Sequence, residues 1–236
     1  MDTVIRVVEE SNQRGGRMLS LVDLIEAKSC SVGQAAWLAG RVRAGDSWLV
    51  GARPGGAGKT TVMGALLVLL REDETVQVTR PGVSWDRSGP DHCLVAYEIS
   101  PGRYDGYIWG GDVRRLAECA ASGTRVVSNL HADSVAEARS QIVDDCGARE
   151  EHFQSLDLFI PIVFSGGWGR VRREIKSVWR TENGSWQEVR PEEQEADAPG
   201  DLMAFLERCR RENVCTVDAV RERWLAEAGP GGTGRV

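Results

Sequence analysis

A glycine-rich loop that ends in lysine and threonine is the part of the sequence best suited to chemistry. Glycines allow successive backbone N–H groups to turn inward around a phosphate, and a following helix adds the positive end of its dipole. Lys59 can then reach the terminal phosphates, and the hydroxyl of Thr60 can bind Mg²⁺. We therefore predict that this loop binds the phosphates of a nucleotide, and that the binding residues are Pro54, Gly55, Gly56, Ala57, Gly58, Lys59, Thr60 and Thr61.

The residues around the loop support this interpretation. Residues 47–50 predict a short buried strand before it, and residues 61–70 predict an apolar helix after it. Basic residues elsewhere are nearly all arginine, which indicates that Lys59 is required for its compact ammonium group. Arg53 stands where the full phosphate-loop pattern has a glycine, and the alternative interpretation is a glycine turn with a chance lysine.

Glu98 is the second residue with predicted chemistry. It ends an apolar run, residues 93–97, that predicts a buried strand, and parallel sheets present their ligand-binding groups at this end of a strand. A carboxylate there can orient water or contact Mg²⁺ through a water molecule. Tyr97 occupies the position where many phosphate-loop enzymes have an aspartate, so Glu98 would carry both roles. The alternative is a solvated glutamate at a strand end.

His131 is the third candidate. It follows a predicted strand, residues 125–128, and therefore lies at the same edge of the sheet as Glu98. We predict that it is catalytic and contacts the region of the terminal phosphate. A hydrogen-bonded structural histidine is the alternative, because ring-nitrogen roles cannot be read from sequence.

Composition and charge limit the partners. The net charge is −6 and basic residues form no long run, so nucleic acid is not expected as a partner. No apolar run approaches the roughly 18 residues of a membrane span and no signal peptide is recognisable, so we expect a cytoplasmic protein without direct membrane insertion. The cysteines show no metal-ligand spacing and are expected to be reduced, buried thiols.

The predicted elements indicate an α/β fold. Strands and helices alternate from the glycine-rich loop to about residue 164, which predicts a mostly parallel sheet with antiparallel strands at one edge. We expect a helical lead-in over residues 1–44, the nucleotide-binding domain over 45–190, an acidic, proline-bounded linker over 191–200, and a C-terminal helical appendage over 201–236. Residues 171–179 are predicted to form one strand and residues 134–144 one helix.

Three segments in this order resemble the ATPases of type II and type IV secretion systems and type IV pili. They are the glycine-rich loop, Leu-Val-Ala-Tyr-Glu-Ile at residues 94–99, and Ala-Ala-Ser-Gly-Thr-Arg-Val-Val-Ser-Asn-Leu-His-Ala-Asp-Ser at residues 120–134. The last segment keeps the spacing of the family's histidine box, and the resemblance covers roughly residues 45–180.

This resemblance implies a RecA-like ATPase that assembles into a homo-oligomer, usually a hexamer. Such rings use ATP and Mg²⁺ to drive membrane-associated secretion or pilus components, and so act at the inner face of the membrane. By position, Lys59 and Thr60 would bind phosphate and Mg²⁺, Glu98 would be the Walker B glutamate, and His131 the histidine of the box.

The chain also departs from the family pattern. The large N-terminal domain and the acidic box before Glu98 are not recognisable, and residues 100–111 look like an insertion. Arginines that act across a subunit interface cannot be transferred by position, and the candidates are Arg80, Arg87, Arg103 and Arg170.

Three functions remain open at this stage. A motor ATPase is the leading interpretation. A nucleotide-binding regulator or scaffold with weak or no turnover is favoured by Arg53, Tyr97 and the missing acidic box. A small phosphate-loop kinase is disfavoured, because no arginine-rich lid follows the loop.

Overall fold

The computed structural model describes residues 2–13, 15–85, 89–165 and 172–227. Within these residues, nine strands form one sheet. The strands are β1 (Trp48–Gly51), β2 (Thr75–Val78), β3 (His92–Ile99), β4 (Tyr107–Ile108), β5 (Arg125–Leu130), β6 (Leu158–Ser165), β7 (Arg172–Ile175), β8 (Val178–Glu182) and β9 (Ser185–Val189).

The centre of the sheet is parallel and one edge is antiparallel. The parallel strands stand in the order β2-β3-β5-β1-β6, with β4 added to the end of β3. The antiparallel strands β8 and β9 extend the sheet beyond β6, and β7 pairs with β6 as well. The predicted α/β fold, with its mostly parallel sheet and antiparallel edge, is confirmed.

Helices cover both faces of this sheet. They are α1 (Thr3–Ser11), α2 (Leu21–Glu26), α3 (Val32–Arg43), α4 (Lys59–Leu67), α5 (Gly111–Ala121), α6 (Val135–Arg139), α7 (Glu150–Phe153), α8 (Pro191–Ala196), α9 (Gly200–Arg211) and α10 (Val217–Glu227). Successive residues of a strand point to opposite faces, so Trp48 and Val50 contact one hydrophobic cluster while Leu49 contacts the other. The first cluster includes residues of α1–α4, α9 and α10, and the second includes residues of α5–α7.

Local sequence signals explain several boundaries. Ser31 and Gln34 form a capping box at the start of α3. Asn183 and Gly184 both have positive φ, 50° and 74°, as the tight turn between β8 and β9 requires. Helix α2 begins at Leu21, because Ser20 caps it through a box with Asp23.

Three local predictions differ from the structure. The predicted strand at 171–179 is two strands, β7 and β8. The predicted helix at 134–144 is α6 followed by a π-helical segment, Ser140–Asp145. The predicted linker at 191–200 contains α8, with Pro191 at its first turn and a fully buried Gln194. Buried tertiary hydrogen bonding overrides the linker-like composition, since Gln34 Nε2 donates to Gln194 Oε1 at 3.3 Å.

The C-terminal helices pack on the core. Phe205 of α9 and Trp224 of α10 are buried in an edge-to-face pair with ring centroids 5.7 Å apart. The division of the chain into domains at residues 44, 190 and 200 remains a prediction. In the part of the chain that the structure describes, every helix is too short or too polar to span a bilayer.

Candidate functional site

The predicted site residues meet at the carboxyl ends of three neighbouring strands. The glycine-rich loop follows β1, Glu98 is the second-last residue of β3, and His131 follows β5, which lies between β1 and β3. The registers place Gly51 of β1 and Ile99 of β3 opposite the same residue, Leu130 of β5. Topology alone therefore brings the loop, the carboxylate and the imidazole to one edge of the sheet.

The glycine-rich loop has the conformation of an anion-binding nest. Gly56 and Gly58 have positive φ of 79° and 95°, which glycine adopts without steric cost. The backbone N–H groups from Gly55 to Thr61 donate no hydrogen bond to any residue that the structure describes. Unpaired N–H groups at the start of α4 can bind the oxygens of a phosphate.

Lys59 is the first residue of α4, and its side chain is buried. Its Nζ donates to the backbone oxygen of Ala52 at 3.1 Å and lies 3.1 Å from Glu98 Oε1. Both charged side chains are 7% exposed. The ammonium group therefore lies between the backbone oxygen of Ala52 and the Glu98 carboxylate on β3.

A bulge in β3 sets the position of Glu98. The pairing of β3 with β5 shifts between Ala96 and Ile99, so that Tyr97 and Glu98 face one residue, Asn129. Asn129 is fully buried, and its side-chain amide donates to the Tyr97 oxygen at 2.8 Å, which compensates for the interrupted ladder. Sequence reasoning missed this role of Asn129, although a buried asparagine at a strand end is the signal that could have indicated it.

Glu98 has unused acceptor capacity. Its Oε1 lies within ion-pair distance of Lys59 but accepts no hydrogen bond with good geometry from the described residues. A buried carboxylate oxygen without a hydrogen bond is energetically costly, and such groups are concentrated at functional sites. This oxygen is available to a water molecule or to a hydrated metal ion.

His131 links the glycine-rich loop to Glu98. Its Nδ1 lies 2.9 Å from the backbone oxygen of Arg53, and its Nε2 lies 3.5 Å from Glu98 Oε1. The same Nδ1 lies 3.4 Å from Lys59 Nζ, so the tautomer of the ring decides whether this nitrogen donates to the Arg53 oxygen or accepts from the ammonium group. The backbone oxygen of His131 accepts from Gln141 Nε2 at 2.6 Å, and Gln141 lies in the π-helical segment. π-helical turns occur frequently at functional sites.

The structure explains why arginine is tolerated at the start of the loop. The Arg53 N–H donates to Asp133 Oδ1 at 2.8 Å, and its guanidinium pairs with Glu137 of α6. Asp133 and Glu137 belong to the segment that follows His131. The hydrogen bond from the Asp133 N–H lowers the pKa of Glu137, and the Arg53 guanidinium lowers it further. Arg53 thus attaches the glycine-rich loop to the histidine segment.

Tyr97 has a structural position. Its side chain is buried and its hydroxyl donates to the Val7 oxygen at 3.2 Å, so it connects β3 to α1. Burial raises the pKa of this phenol above its ordinary value, which keeps the hydroxyl neutral. It offers no carboxylate for Mg²⁺, so within this strand end Glu98 is the acidic group.

A cavity of about 620 Å³ opens over these groups. Of the eight residues predicted to bind nucleotide, seven line the cavity together with Glu98 and His131, and Pro54 lies exposed at the start of the loop. The volume lies in the range of sites for small ligands, which is roughly 300–1,000 Å³. Sequence analysis did not predict the other wall, which is formed by residues 11–13, 15 and 17–19 and by Tyr104 and Tyr107 of the inserted segment.

The arginines proposed to act between subunits have different environments. Arg80 pairs with Asp105 at 2.6 Å and approaches Glu10 at 3.6 Å, so its charge is already partnered. Arg103 is exposed. Arg87 and Arg170 lie outside the described residues. Sequence reasoning did not single out Arg17, which lines the cavity with its guanidinium bound to Asp23.

The donor set of this site fits a nucleotide with Mg²⁺. Unpaired backbone N–H groups and one ammonium group match the charge of a polyphosphate. Thr60 offers a hydroxyl oxygen and Glu98 a carboxylate oxygen, and hard oxygen ligands are those that Mg²⁺ prefers. Among the described residues, no group of three or more histidine, cysteine or acidic side chains could hold a metal ion alone.

No protein-family model and no curated protein matches this chain. Solved structures do match it. One is the VirB11 ATPase of the Brucella suis type IV secretion system, solved in complex with sulphate, with a TM-score of 0.46 and 20% identity over 70% of this chain and 55% of that one. Another is the Legionella pneumophila ATPase DotB, with a TM-score of 0.41 and 13% identity over 84% of this chain and 59% of that one.

The chain thus spans less than two thirds of the length of these two proteins. Both similar structures are described as ATPases, and the first belongs to a type IV secretion system.

Proposed function

We propose that this protein binds ATP with Mg²⁺ and hydrolyses it, as the motor domain of a secretion or pilus ATPase. The observation that carries the proposal is the row of unpaired N–H groups from Gly55 to Thr61 in one cavity with Lys59, Glu98 and His131. Each group in this set has a separate role in phosphoryl transfer.

The loop and Lys59 bind the phosphates. The N–H groups hold phosphate oxygens, and the Lys59 ammonium moves from Glu98 toward the terminal phosphates when these arrive. Thr60 and Glu98 would hold Mg²⁺, Glu98 through water. When bound, Mg²⁺ would offset the negative charge of the phosphate oxygens.

Glu98 and His131 act on the attacking water. Once Lys59 contacts phosphate, the buried Glu98 carboxylate is free to accept a hydrogen bond from water and orient it. His131 contacts the Arg53 oxygen through Nδ1 and lies near Glu98 Oε1 through Nε2. It therefore couples the position of the glycine-rich loop to that of the carboxylate. Movement of the loop on phosphate binding changes this contact directly.

We further propose assembly into a homo-oligomer, with a hexamer as the expected form, that works on membrane-associated secretion or pilus components from the cytoplasmic side. Nucleic acid and direct insertion into the bilayer are not part of this proposal. The net charge of −6 supports the first exclusion.

A second candidate is a nucleotide-binding scaffold with weak or no turnover. The observation that favours it is the single acidic group at the end of β3, since Tyr97 is committed to α1 through its hydroxyl. Under this alternative, ATP binds and stabilises the fold but is not converted.

The test is ATP turnover with Mg²⁺ over a range of protein concentrations. We expect turnover per subunit to rise with concentration, because arginines contributed between subunits can accelerate phosphoryl transfer by about 10³-fold. The Glu98→Gln variant should keep ATP affinity and lose turnover, and His131→Ala should reduce turnover more than affinity.

Glu118→Gln on the exposed side of α5 is the matched control and should behave as wild type. Normal turnover in Glu98→Gln would contradict the assigned role. ATP binding without turnover at any concentration would select the scaffold.

A further inference from the structure

The cavity has a second wall, which is not part of the proposed phosphate site. This wall consists of residues 11–13, 15 and 17–19 of the N-terminal loop, and of Tyr104 and Tyr107 of the insert, residues 100–111. The two segments are joined by a hydrogen bond from Gln13 Nε2 to the Asp105 oxygen at 3.1 Å. Gln13 and Asp105 are 92 residues apart in sequence, so this hydrogen bond joins distant parts of the chain at this end of the cavity.

Tyr104 presents an aromatic ring at this end. The side chain lines the cavity and is 66% exposed, more than any other large apolar side chain described. Its ring meets Tyr107 at a tilt of 58° with centroids 5.1 Å apart. This single tilted contact leaves most of the ring open, and an aromatic face of this kind is a platform for a flat ligand.

The insert holds Tyr104 in place. Asp105, the next residue, forms a bidentate pair with Arg80 at 2.6 and 2.9 Å. These hydrogen bonds lower the pKa of Asp105 below its ordinary value. At Gly106, φ is +70° and an added Cβ would lie 2.3 Å from the Tyr97 ring, so the backbone approaches the core as only glycine permits. A platform fixed in this way costs little entropy when a ligand binds.

The N-terminal loop presents hydrogen-bond acceptors beside the ring. Asn12 Nδ2 donates to the Gly16 oxygen at 2.8 Å, and Gln13 Nε2 donates to the Asp105 oxygen. Both partners are carbonyl oxygens, which can only accept, so each amide must turn its nitrogen toward the partner. The side-chain oxygens of Asn12 and Gln13 remain as acceptors and receive no hydrogen bond from the described residues.

We propose that this end of the cavity binds the base of the nucleotide. An adenine ring stacks on Tyr104 and donates its exocyclic amine to the side-chain oxygen of Asn12 or Gln13. Guanine carries a carbonyl oxygen at the corresponding position and would meet a second acceptor there. The inference rests on the proposed function, since the base is placed here only if the phosphates lie on the glycine-rich loop.

The experiment compares a ligand that has a base with one that lacks it. Calorimetric titration with Mg-ATP, Mg-GTP and magnesium tripolyphosphate is performed on the wild type, Tyr104→Ala and Tyr104→Phe. We expect Tyr104→Ala to weaken ATP binding by roughly 5- to 150-fold, the equivalent of one stacked base, and tripolyphosphate binding by less than about twofold. Tyr104→Phe keeps the stacking face and should bind ATP as the wild type does.

We also expect the wild type to bind ATP about tenfold more tightly than GTP, the effect of one hydrogen bond lost to an opposed acceptor. Equal loss for ATP and tripolyphosphate in Tyr104→Ala, or no loss for either, would overturn the base site and leave the proposed function standing. A wild type that binds neither ligand would overturn both. The thermal unfolding of each variant checks the fold, and Tyr104 is exposed enough for the alanine variant to fold.

Discussion

Removal of the Arg221 guanidinium should destabilise the protein far more than the loss of an ordinary surface arginine. Arg221 is 4% exposed and lies on α10. Its Nη1 donates to the Val68 oxygen at 3.1 Å and also to the Leu70 oxygen, and its Nε donates to Asp2 at 3.0 Å. Val68 and Leu70 directly follow α4, so a C-terminal helix supplies the charge that caps the helix of the glycine-rich loop.

The magnitude follows from what Arg221→Met leaves behind. The substitution keeps much of the side-chain volume but leaves two buried carbonyl oxygens without their donor, while the Asp2 carboxylate keeps its hydrogen bond from the Val4 N–H. Hydrogen bonds from charged groups contribute roughly 1.5–3 kcal/mol each, and two of them, to the oxygens of the buried residues Val68 and Leu70, are lost. We expect the free energy of unfolding to fall by about 3–5 kcal/mol.

The control lies on the same helix. Arg223 pairs with Glu212 and Glu227, but its side chain is 25% exposed. Arg223→Met should cost at most about 1 kcal/mol, the usual limit for solvent-exposed ion pairs. Urea denaturation followed by tryptophan fluorescence measures both variants. Equal, small losses in the two variants would refute the reasoning that α10 is part of the core that supports α4.

Three further outcomes are expected. Gly106→Ala should destabilise the fold by at least about 1–3 kcal/mol more than Gly82→Ala, because both positions have φ near +70° but only Gly106 faces the Tyr97 ring; equal urea midpoints would contradict this. Asn129→Ala should cost about 1–2 kcal/mol and reduce ATP turnover more than affinity, since the bulge that aims Glu98 loses its hydrogen bond; unchanged turnover would contradict it. Burial raises the pKa of Asp2, but its partners lower it below the ordinary value overall. Its stabilising effect is therefore present above the unfolded pKa, about 3.9, and lost as pH falls through the folded pKa, and the difference in unfolding free energy between wild type and Asp2→Asn should narrow as pH falls below about 5; a constant difference would contradict it.

The charged centre of the site could be predicted from sequence because its parts lie at strand ends. Lys59 follows a glycine-rich loop, and Glu98 and His131 end apolar strands, so the geometry of a parallel sheet brings them together. The bulge at Glu98 could not be predicted in the same way. It depends on the pairing of Asn129 with the Tyr97 oxygen, a contact between residues far apart in the chain.

The walls of the cavity and the packing of the C-terminal segment could not be predicted from sequence for the same reason. The N-terminal loop meets the insert through Gln13 and Asp105, which are 92 residues apart. The segment at 191–200 has the composition of a linker. Helix α8 nevertheless forms there, because the buried Gln194 accepts a hydrogen bond from Gln34 of α3. Local composition contains no signal for such contacts.

The proposed function depends on the binding of a nucleoside triphosphate by the glycine-rich loop and Lys59. Titration of Mg-ATP into the wild type, Lys59→Ala and Lys176→Ala tests it directly, since the Lys176 side chain is 55% exposed and lies outside the cavity lining. We expect Lys59→Ala to weaken ATP binding by roughly 10- to 150-fold, the value of a hydrogen bond to a charged group, and Lys176→Ala to leave ATP binding unchanged. Equal affinity in all three proteins, or no ATP binding by the wild type, would contradict it.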